Sequence, residues 1–600
     1  MGKMTVLGIG DAHDSGAAAV ERGAVTGAVN EERFTKNKNE FGFPYHSIRH
    51  IHSGNSSIDA VALAWIGGSA LISRVFPGWG SYRRKLWRRE VPKPSRVSMH
   101  LSNMAYRFIQ NQRPRKAWEL VGSYVGRNVT RKRLAHISHD LSAKRIYVVE
   151  HHMAHVASAY YTSGFKDALI ITLDGAGDGL SGTVSIGESG SIRRLAEFKA
   201  SASLGILYGA ATLACDMRYG EDEGKLMSLA AYSYPKRLEE LNRICRYDRQ
   251  KKRLVSSIGT RSEFLLAEYM KDHLLSGNER EQFAYAVQAH VQEQVVGIVG
   301  QWVKETDIHD IAVAGGFFSN VITNMLIEHM PEVKRLFVFP HMGDGGLSLG
   351  AAARVDFMLN GRFNTKQISD AYFGPSYTNE QIEEAVTALA RENPQDIEYD
   401  EIGNVAKYGA ELLSENRILL WFQNAMEYGP RALGNRSVLA LPSESINRDR
   451  INSIIKRRPY YQPFASTVLA EDASGLFDDY VGRNRFMTSA NHVKEEYYGA
   501  LVAASHVDHT TRPQTLEDEN PVYRQLIQEV KKRSGVGAVL NTSLNKHGKP
   551  MVMSPHDALW TLMNTGADTL IIGDYVVRKV GQPGSAKEGM RRSAENRLAE

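Results

Sequence analysis

The segment Glu150-His-His-Met-Ala-His-Val places His151 and His155 four residues apart. On a helix that spacing puts both imidazoles on one face, about 40° from eclipsed, where both reach one divalent metal. His152 points elsewhere. Two histidines need carboxylates to complete a set. Asp178 in Gly-Ala-Gly-Asp-Gly and Asp344 in His-Met-Gly-Asp-Gly-Gly sit in glycine-rich loops after apolar strands. A mixed histidine–carboxylate set suits Fe, Mn or Zn and leaves positions open for phosphate oxygens. Asp174, at the end of its strand, is expected to contact metal-bound water or to cap a turn.

A second group lies towards the C-terminus. Met-Glu-Tyr-Gly-Pro-Arg-Ala-Leu-Gly-Asn-Arg supplies Arg431 and Arg436, the following basic run supplies Lys456, Arg457 and Arg458, and Arg512, Asn541, Ser543 and Asn545 come later. Guanidinium forks bind phosphate bidentately and lysine adds a point charge. Gly, Pro and Asn beside these residues, between apolar strands, favour an anion pocket over surface solvation. No Ser-His-Asp order, nucleophile elbow, Walker loop or Rossmann glycine signature is present.

The elements that must position these groups follow from patterning. Residues 4–34 and 168–199 each read as strand, Gly/Asp loop, strand, tight turn, strand. Meanders duplicated in this way, with helices between, predict a two-lobed actin-like ATPase fold. Two strand–helix units, Ile-Ala-Val-Ala-Gly-Gly and Leu-Phe-Val-Phe-Pro-His-Met-Gly-Asp, bring glycines to helix N-termini, where a nucleotide phosphate binds well. The pattern restarts near residue 365. A second α/β domain is expected over 366–580, with a helix from Ser445 to about Arg457, a helix capped by Ser554 and Pro555, and a polar tail over 581–600.

The chain has 600 residues, 42% of them hydrophobic and 23% charged, which excludes disorder as its main state. Two cysteines, Cys215 and Cys245, give no disulfide framework and fit a reducing, cytoplasmic setting. No apolar run is long enough to span a membrane. Residues 74–133 carry 16 Lys and Arg against two acids, with Tyr82, Trp87, Tyr106, Phe108 and Trp118 interleaved. Nucleic acid is the less favoured partner of this insertion, for no binding motif accompanies the charge. A solvated or dimer-contacting helical face, or steering of an anionic acceptor to a nearby site, accounts for it as well.

His-Asp-Ser-Gly-Ala-Ala, His-His-Met-Ala-His, Leu-Asp-Gly-Ala-Gly-Asp, the Glu-Gly-Lys run at 223, Gly-Gly-Phe-Phe-Ser-Asn, Gly-Asp-Gly-Gly-Leu-Ser, Tyr-Gly-Pro-Arg-Ala-Leu-Gly-Asn-Arg and Asn-Thr-Ser-Leu-Asn follow one another between about residue 5 and residue 578. In these motifs the chain resembles the nodulation, antibiotic and toxin O-carbamoyltransferases. The resemblance implies an N-terminal domain, 1–365 with the basic insertion 74–133, similar to the threonylcarbamoyl-transfer ATPases, and a YrdC-like C-terminal domain. It implies that carbamoyl phosphate and ATP give carbamoyl adenylate, and that the carbamoyl group then passes to a hydroxyl of a small acceptor.

By the same resemblance, His151, His155, Asp178 and Asp344 hold the metal, with Mg accompanying ATP as a further candidate. Lys456, Arg431, Arg512 and Ser543 are catalytic in the first step, with Arg436, Arg458, Gln462 and Asn541 around the substrate. His13, Asp14 and Lys38 face the acceptor, and Gly315, Gly316, Asn320 and Asp174 face the nucleotide. Gln462 departs from the family, where an arginine is usual; one lost charge-assisted contact weakens phosphate binding by ~1.5–3 kcal/mol unless Arg457 or Arg458 substitutes. Two other readings are RNA modification by a threonylcarbamoyl-type transfer and a non-catalytic actin-like nucleotide-binding regulator. A homodimer is left open.

Overall fold

Alternating apolar and small residues fold each of the two N-terminal stretches into an antiparallel meander. In the computed structural model, which describes residues 4–54, 57–109, 112–258 and 262–580, the first is β1 (Thr5–Gly10), β2 (Gly16–Glu21) and β3 (Ala24–Asn30). β4 (Ala60–Ala64) and β5 (Arg145–Val149) extend it in parallel, giving the order β3-β2-β1-β4-β5. The second meander is β6 (Asp167–Gly177), β7 (Leu180–Glu188) and β8 (Ser191–Lys199). After a small hairpin of β9 (Arg246–Asp248) and β10 (Arg253–Val255), parallel strands β11 (Asp310–Ala314) and β12 (Arg335–Val338) complete the order β12-β11-β6-β7-β8. The two sheets share one topology, which is the two-lobed actin-like arrangement. Both belong to one compact unit, Met1–Thr35 with Asn39–Ile368.

Close backbone approach fixes how these layers meet. Helix Leu347–Asn360 lies against β1 and against helix His151–Ser163. A side chain at Gly8 would come within 1.9 Å of the Ser348 carbonyl oxygen, and one at Gly350 within 1.9 Å of the Ala154 carbonyl oxygen. Glycine is therefore required at both crossings. The histidine helix is thereby clamped against a helix that begins just after Asp344.

The basic segment is helical, as helices Gly68–Val75, Gly78–Trp87, Arg96–Ile109 and Gln112–Ala135. The Tyr106 and Phe108 side chains lie outside the described residues. Arg74 is no surface charge. It is buried and donates to both carboxylate oxygens of Asp11, at 2.8 and 2.7 Å.

The second unit, Lys36–Lys38 with Ser369–Glu600, is built on strands β13 (Ile397–Glu401), β14 (Leu419–Phe422), β15 (Arg436–Ala440), β16 (Ala465–Leu469), the short pair β17 (Asn491–His492) and β18 (Thr510–Thr511), β19 (Gln514–Leu516), β20 (Ala538–Ser543), β21 (Thr569–Ile572) and β22 (Tyr575–Lys579). Its main sheet runs β13-β22-β21-β14-β15-β20-β16-β19. Successive residues alternate faces: Leu420, Phe422 and Val438 enter one core, and Leu419, Trp421 and Leu439 enter another with helices Val405–Ser414 and Pro521–Ser534. The helix expected from Ser445 to Arg457 is regular only over Ile446–Ile451. It widens to a π turn over Asn452–Lys456 and stops at Arg457, whose φ is +48°. Ser554 and Asp557 form a capping box on helix Pro555–Met563. The polar tail expected over 581–600 lies outside the described residues.

Gly350→Ala is expected to lower the unfolding free energy by ~1–3 kcal/mol, the range for overpacking a filled contact. Thermal or urea unfolding checks this, and an unchanged midpoint would contradict the close-crossing account.

Candidate functional site

The N-terminus of helix His151–Ser163 is held by two carboxylates. Glu150 accepts from the N–H groups of His152 and Met153, at 3.2 and 2.8 Å, and is itself bound by Arg194 at 2.5 Å. Burial opposes its charge, but Arg194 and the neighbouring His152 hold its pKa down at about 2. Asp178 accepts from the N–H groups of Ile66, Gly67 and His151 at 3.0, 2.7 and 2.9 Å. The sequence reading made Asp178 a metal ligand, and the side-chain donors that converge within 4.8 Å of one another do not include its own. Both of its oxygens are committed to backbone, so it fixes the helix start and the loop after β4.

Asp174 takes the place expected of Asp178. His151, His155, Asp174 and Asp344 each present one ligand atom, all within 4.8 Å of one another. His151 Nε2 lies 3.1 Å from Asp174 Oδ2, and His155 Nε2 lies 3.2 Å from the same oxygen and 3.3 Å from Asp344 Oδ1. Thr172, two residues before Asp174 on β6, also faces the histidine helix: its Oγ1 meets His152 Nδ1 at 3.0 Å. Burial disfavours charge on His155, but hydrogen bonds to Asp174 and Asp344 outweigh it and raise its pKa to about 9. Burial and the adjacent His151 push His152 down to about 3, so it is neutral. This donor set fits a divalent transition metal: two imidazoles and two carboxylates, with no lysine or arginine paired to either carboxylate among the described residues.

His13 and Asp14 stand at this cluster. His13 Nε2 is 2.8 Å from Asp344 Oδ2, and its Nδ1 is 3.1 Å from Asp14. Burial opposes protonation of His13, yet Asp344 and Asp14 raise its pKa well above the usual value. Gly315, with φ +105°, and Gly316 border the same place. A side chain at Gly315 would meet the Leu173 carbonyl at 2.1 Å, and one at Gly316 would stand 3.0 Å from Asp174 Oδ1. Asn320 caps helix Val321–Glu328 and exchanges two hydrogen bonds with Gln288, at 3.1 and 2.9 Å.

In the second unit, Arg431, Arg458, Arg512 and Lys456 form a cluster without a carboxylate. Burial pushes Arg431 and Arg458 down to about 10 and Arg512 well below its usual value, and Arg431 and Arg458 add repulsion at Arg512. The Nε atoms of Arg431 and Arg512 are buried without a partner. The π turn carries Lys456 into the interior, where Nζ donates to Ser543 and, at 2.6 Å, to Asn545 Oδ1. Burial, Arg458 and Lys38 lower its pKa.

Three sequence expectations change here. Arg436, expected at the substrate, is fully buried: it donates to the carbonyls of Gln423, Asn435, Asn424, Met553 and Pro375 and lies 3.6 Å over the Phe422 ring. Asn541 donates both amide hydrogens, to the Ala432 carbonyl at 3.2 Å and Thr467 Oγ1 at 3.0 Å, so it positions the Arg431 loop. Lys38, expected to face the acceptor, belongs to the second unit and acts on Lys456. Gln462 has its Oε1 buried without a partner, and Arg458 supplies a cation to the cluster.

Two lobes carrying a histidine–carboxylate cluster, joined in sequence to an α/β unit with an unneutralised cation cluster, define the class. Residues 5–353 match the carbamoyltransferase N-terminal family model and residues 410–579 the C-terminal one, so the chain belongs to the carbamoyltransferase family and is a transferase. It is 31% identical to an uncharacterized protein of Methanocaldococcus jannaschii, over 91% of this chain and 96% of that one. It is 35% identical to nodulation protein NolO of Bradyrhizobium diazoefficiens, over 72% and 79%. A 3'-hydroxymethylcephem-O-carbamoyltransferase of Amycolatopsis lactamdurans is 30% identical over 44% and 47%. Among solved structures, HypF of T. kodakarensis has 13% identity and a TM-score of 0.36, covering 61% of this chain and 49% of that one. No helix among the described residues is long and apolar enough to cross a membrane.

Asp174→Asn is expected to cut bound divalent metal about tenfold or more while leaving the melting temperature nearly unchanged. Asp178→Asn is expected to cost ~1–3 kcal/mol of stability through lost backbone hydrogen bonds. Metal analysis with thermal unfolding of both variants separates ligand from positioning residue. Arg436→Met is expected to destabilise by ~3 kcal/mol, from buried carbonyls left unpaired; normal stability with lost phosphate binding would restore Arg436 to the pocket.

Proposed function

We propose that the chain is an ATP-dependent O-carbamoyltransferase with two half-reactions divided between its two units. The observation that carries this reading is the cluster of half-buried Arg431, Arg458 and Arg512 with the buried Lys456, no carboxylate being paired to them among the described residues. Such a cluster favours a polyanion, whose oxygens make charge-assisted hydrogen bonds to it. Carbamoyl phosphate and ATP are together that polyanion. Water cleaves carbamoyl phosphate to carbamate and phosphate. A carbamate oxygen attacks the α-phosphorus of ATP, and pyrophosphate leaves. Arg431, Arg458 and Arg512 neutralise phosphate oxygens, while Ser543 and Asn545 orient Lys456.

In the first unit the acceptor hydroxyl oxygen attacks the carbamoyl carbon. The bond from that carbon to the AMP phosphate oxygen breaks, and the hydroxyl proton passes to the Asp14 carboxylate, which His13 holds in place. His151, His155, Asp174 and Asp344 would hold a divalent ion (Fe, Mn or Zn), which supplies positive charge against the nucleotide phosphate. Gly315 lets the backbone close on the Leu173 carbonyl, and Gly316 stands beside Asp174, where the nucleotide phosphate is taken to lie. Mg accompanies ATP in the adenylating step.

Carbamoyl-phosphate-dependent ATP–pyrophosphate exchange is expected in the wild type. Arg512→Ala should reduce it ~10–100-fold, the loss of one charge-assisted contact, and still transfer from supplied carbamoyl adenylate to an accepted alcohol. Absence of exchange in the wild type would overturn the reading, and loss of both activities in the variant would overturn the division between units.

A further inference from the structure

Helix Gly78–Trp87 of the basic segment ends on a ring that packs at the transfer site. Trp87 meets the His13 ring edge-on, with centroids 5.7 Å apart at 83°, and is tilted against Phe41 at 5.6 Å and Tyr219 at 5.3 Å. Phe41 is itself 5.6 Å from His13. Trp65 closes another side, 5.7 Å from His13 and 4.4 Å from His151. The His13 side chain remains 27% exposed among these rings, and Phe41, Trp87 and Tyr219 are half-buried.

The rings are fixed in place. Trp65 has φ +77°, a left-handed conformation that a bulky residue keeps only where its surroundings impose it. Arg74 imposes it by donating to the carbonyls of Ala64, Trp65 and Ile66, at 3.1, 2.8 and 3.4 Å. Trp87 is held by its N–H to Glu263 at 3.2 Å and by Arg83 4.7 Å over its ring.

Four of the arginines that suggested an anionic acceptor, those flanking Trp87, are already matched. Arg83 pairs with Glu263, Arg84 with Glu40, Arg88 with Glu221 and Arg89 with Asp216. At His13 the segment offers ring faces in place of unpaired cations.

We infer that the acceptor is a hydroxyl carried on a flat, uncharged ring, packed by its face against Trp87 and Phe41 with the hydroxyl at His13. The inference rests on the carbamoyl-transfer reading above. A sugar's C–H face and an aryl ring share the required chemistry, each covering indole surface with a hydroxyl at the edge.

Ligand-observed NMR on the full chain tests it with methyl β-D-glucopyranoside, benzyl alcohol, 1-propanol and glycerol 3-phosphate, each at about 10 mM, where millimolar affinities register. At least one ring probe is expected to bind the wild type about fivefold or more tighter than both acyclic probes. Trp87→Ala should remove that preference and Trp87→Phe should restore it to within about twofold. Binding of the glucoside alone identifies a sugar face, and binding of benzyl alcohol alone an aryl face; both uphold the inference. Failure of both ring probes on the wild type, tighter binding of glycerol 3-phosphate, or an unchanged preference in Trp87→Ala would overturn it. The wild-type comparison stands even if a variant does not fold. Carbamoyl-phosphate-dependent pyrophosphate exchange, measured separately on the wild type, tells failure of the carbamoyl-transfer reading from failure of ring recognition.

Discussion

Asp174 and Asp344 face two buried imidazoles with no lysine or arginine paired to them among the described residues, and most of the first unit serves to hold that arrangement. Buried carboxylates need a cation or a proton, and without a metal His155 carries the proton. The four groups come from the histidine helix, the end of β6 and the turn before helix Leu347–Asn360. Asp178 and Glu150 fix the helix start, Gly8 and Gly350 let its clamp close, and Gly315 makes room at β11. Each of these residues touches backbone or another side chain of the first unit, and each acts by placing a charge.

The second unit carries the opposite imbalance. Half-buried arginines and a buried lysine stand together with no acid paired to them among the described residues, while Arg436 ties together five backbone carbonyls. Arg436 and Arg431 illustrate one chemistry in two uses. The Arg436 guanidinium is satisfied by carbonyls as an internal brace, whereas Arg431 keeps a buried Nε without a partner.

The sequence by itself determined the strands, the duplicated meander, the histidine spacing and Asp344, because these depend on period, on turn glycines and on the geometry of one helix. It determined the cluster's residue types as well. It did not decide between Asp174 and Asp178, since both lie in one short Asp/Gly run and only the folded chain shows which carboxylate reaches the two imidazoles. It did not separate Arg436 from Arg431 either, because burial and carbonyl contacts across strands are invisible in a list of arginines. The basic segment shows the limit most plainly. Its charge was legible, but its neutralisation by Glu40, Asp216, Glu221 and Glu263, and the placing of Trp87 at His13, were decided only by tertiary structure, because those partners lie tens to hundreds of residues away along the chain.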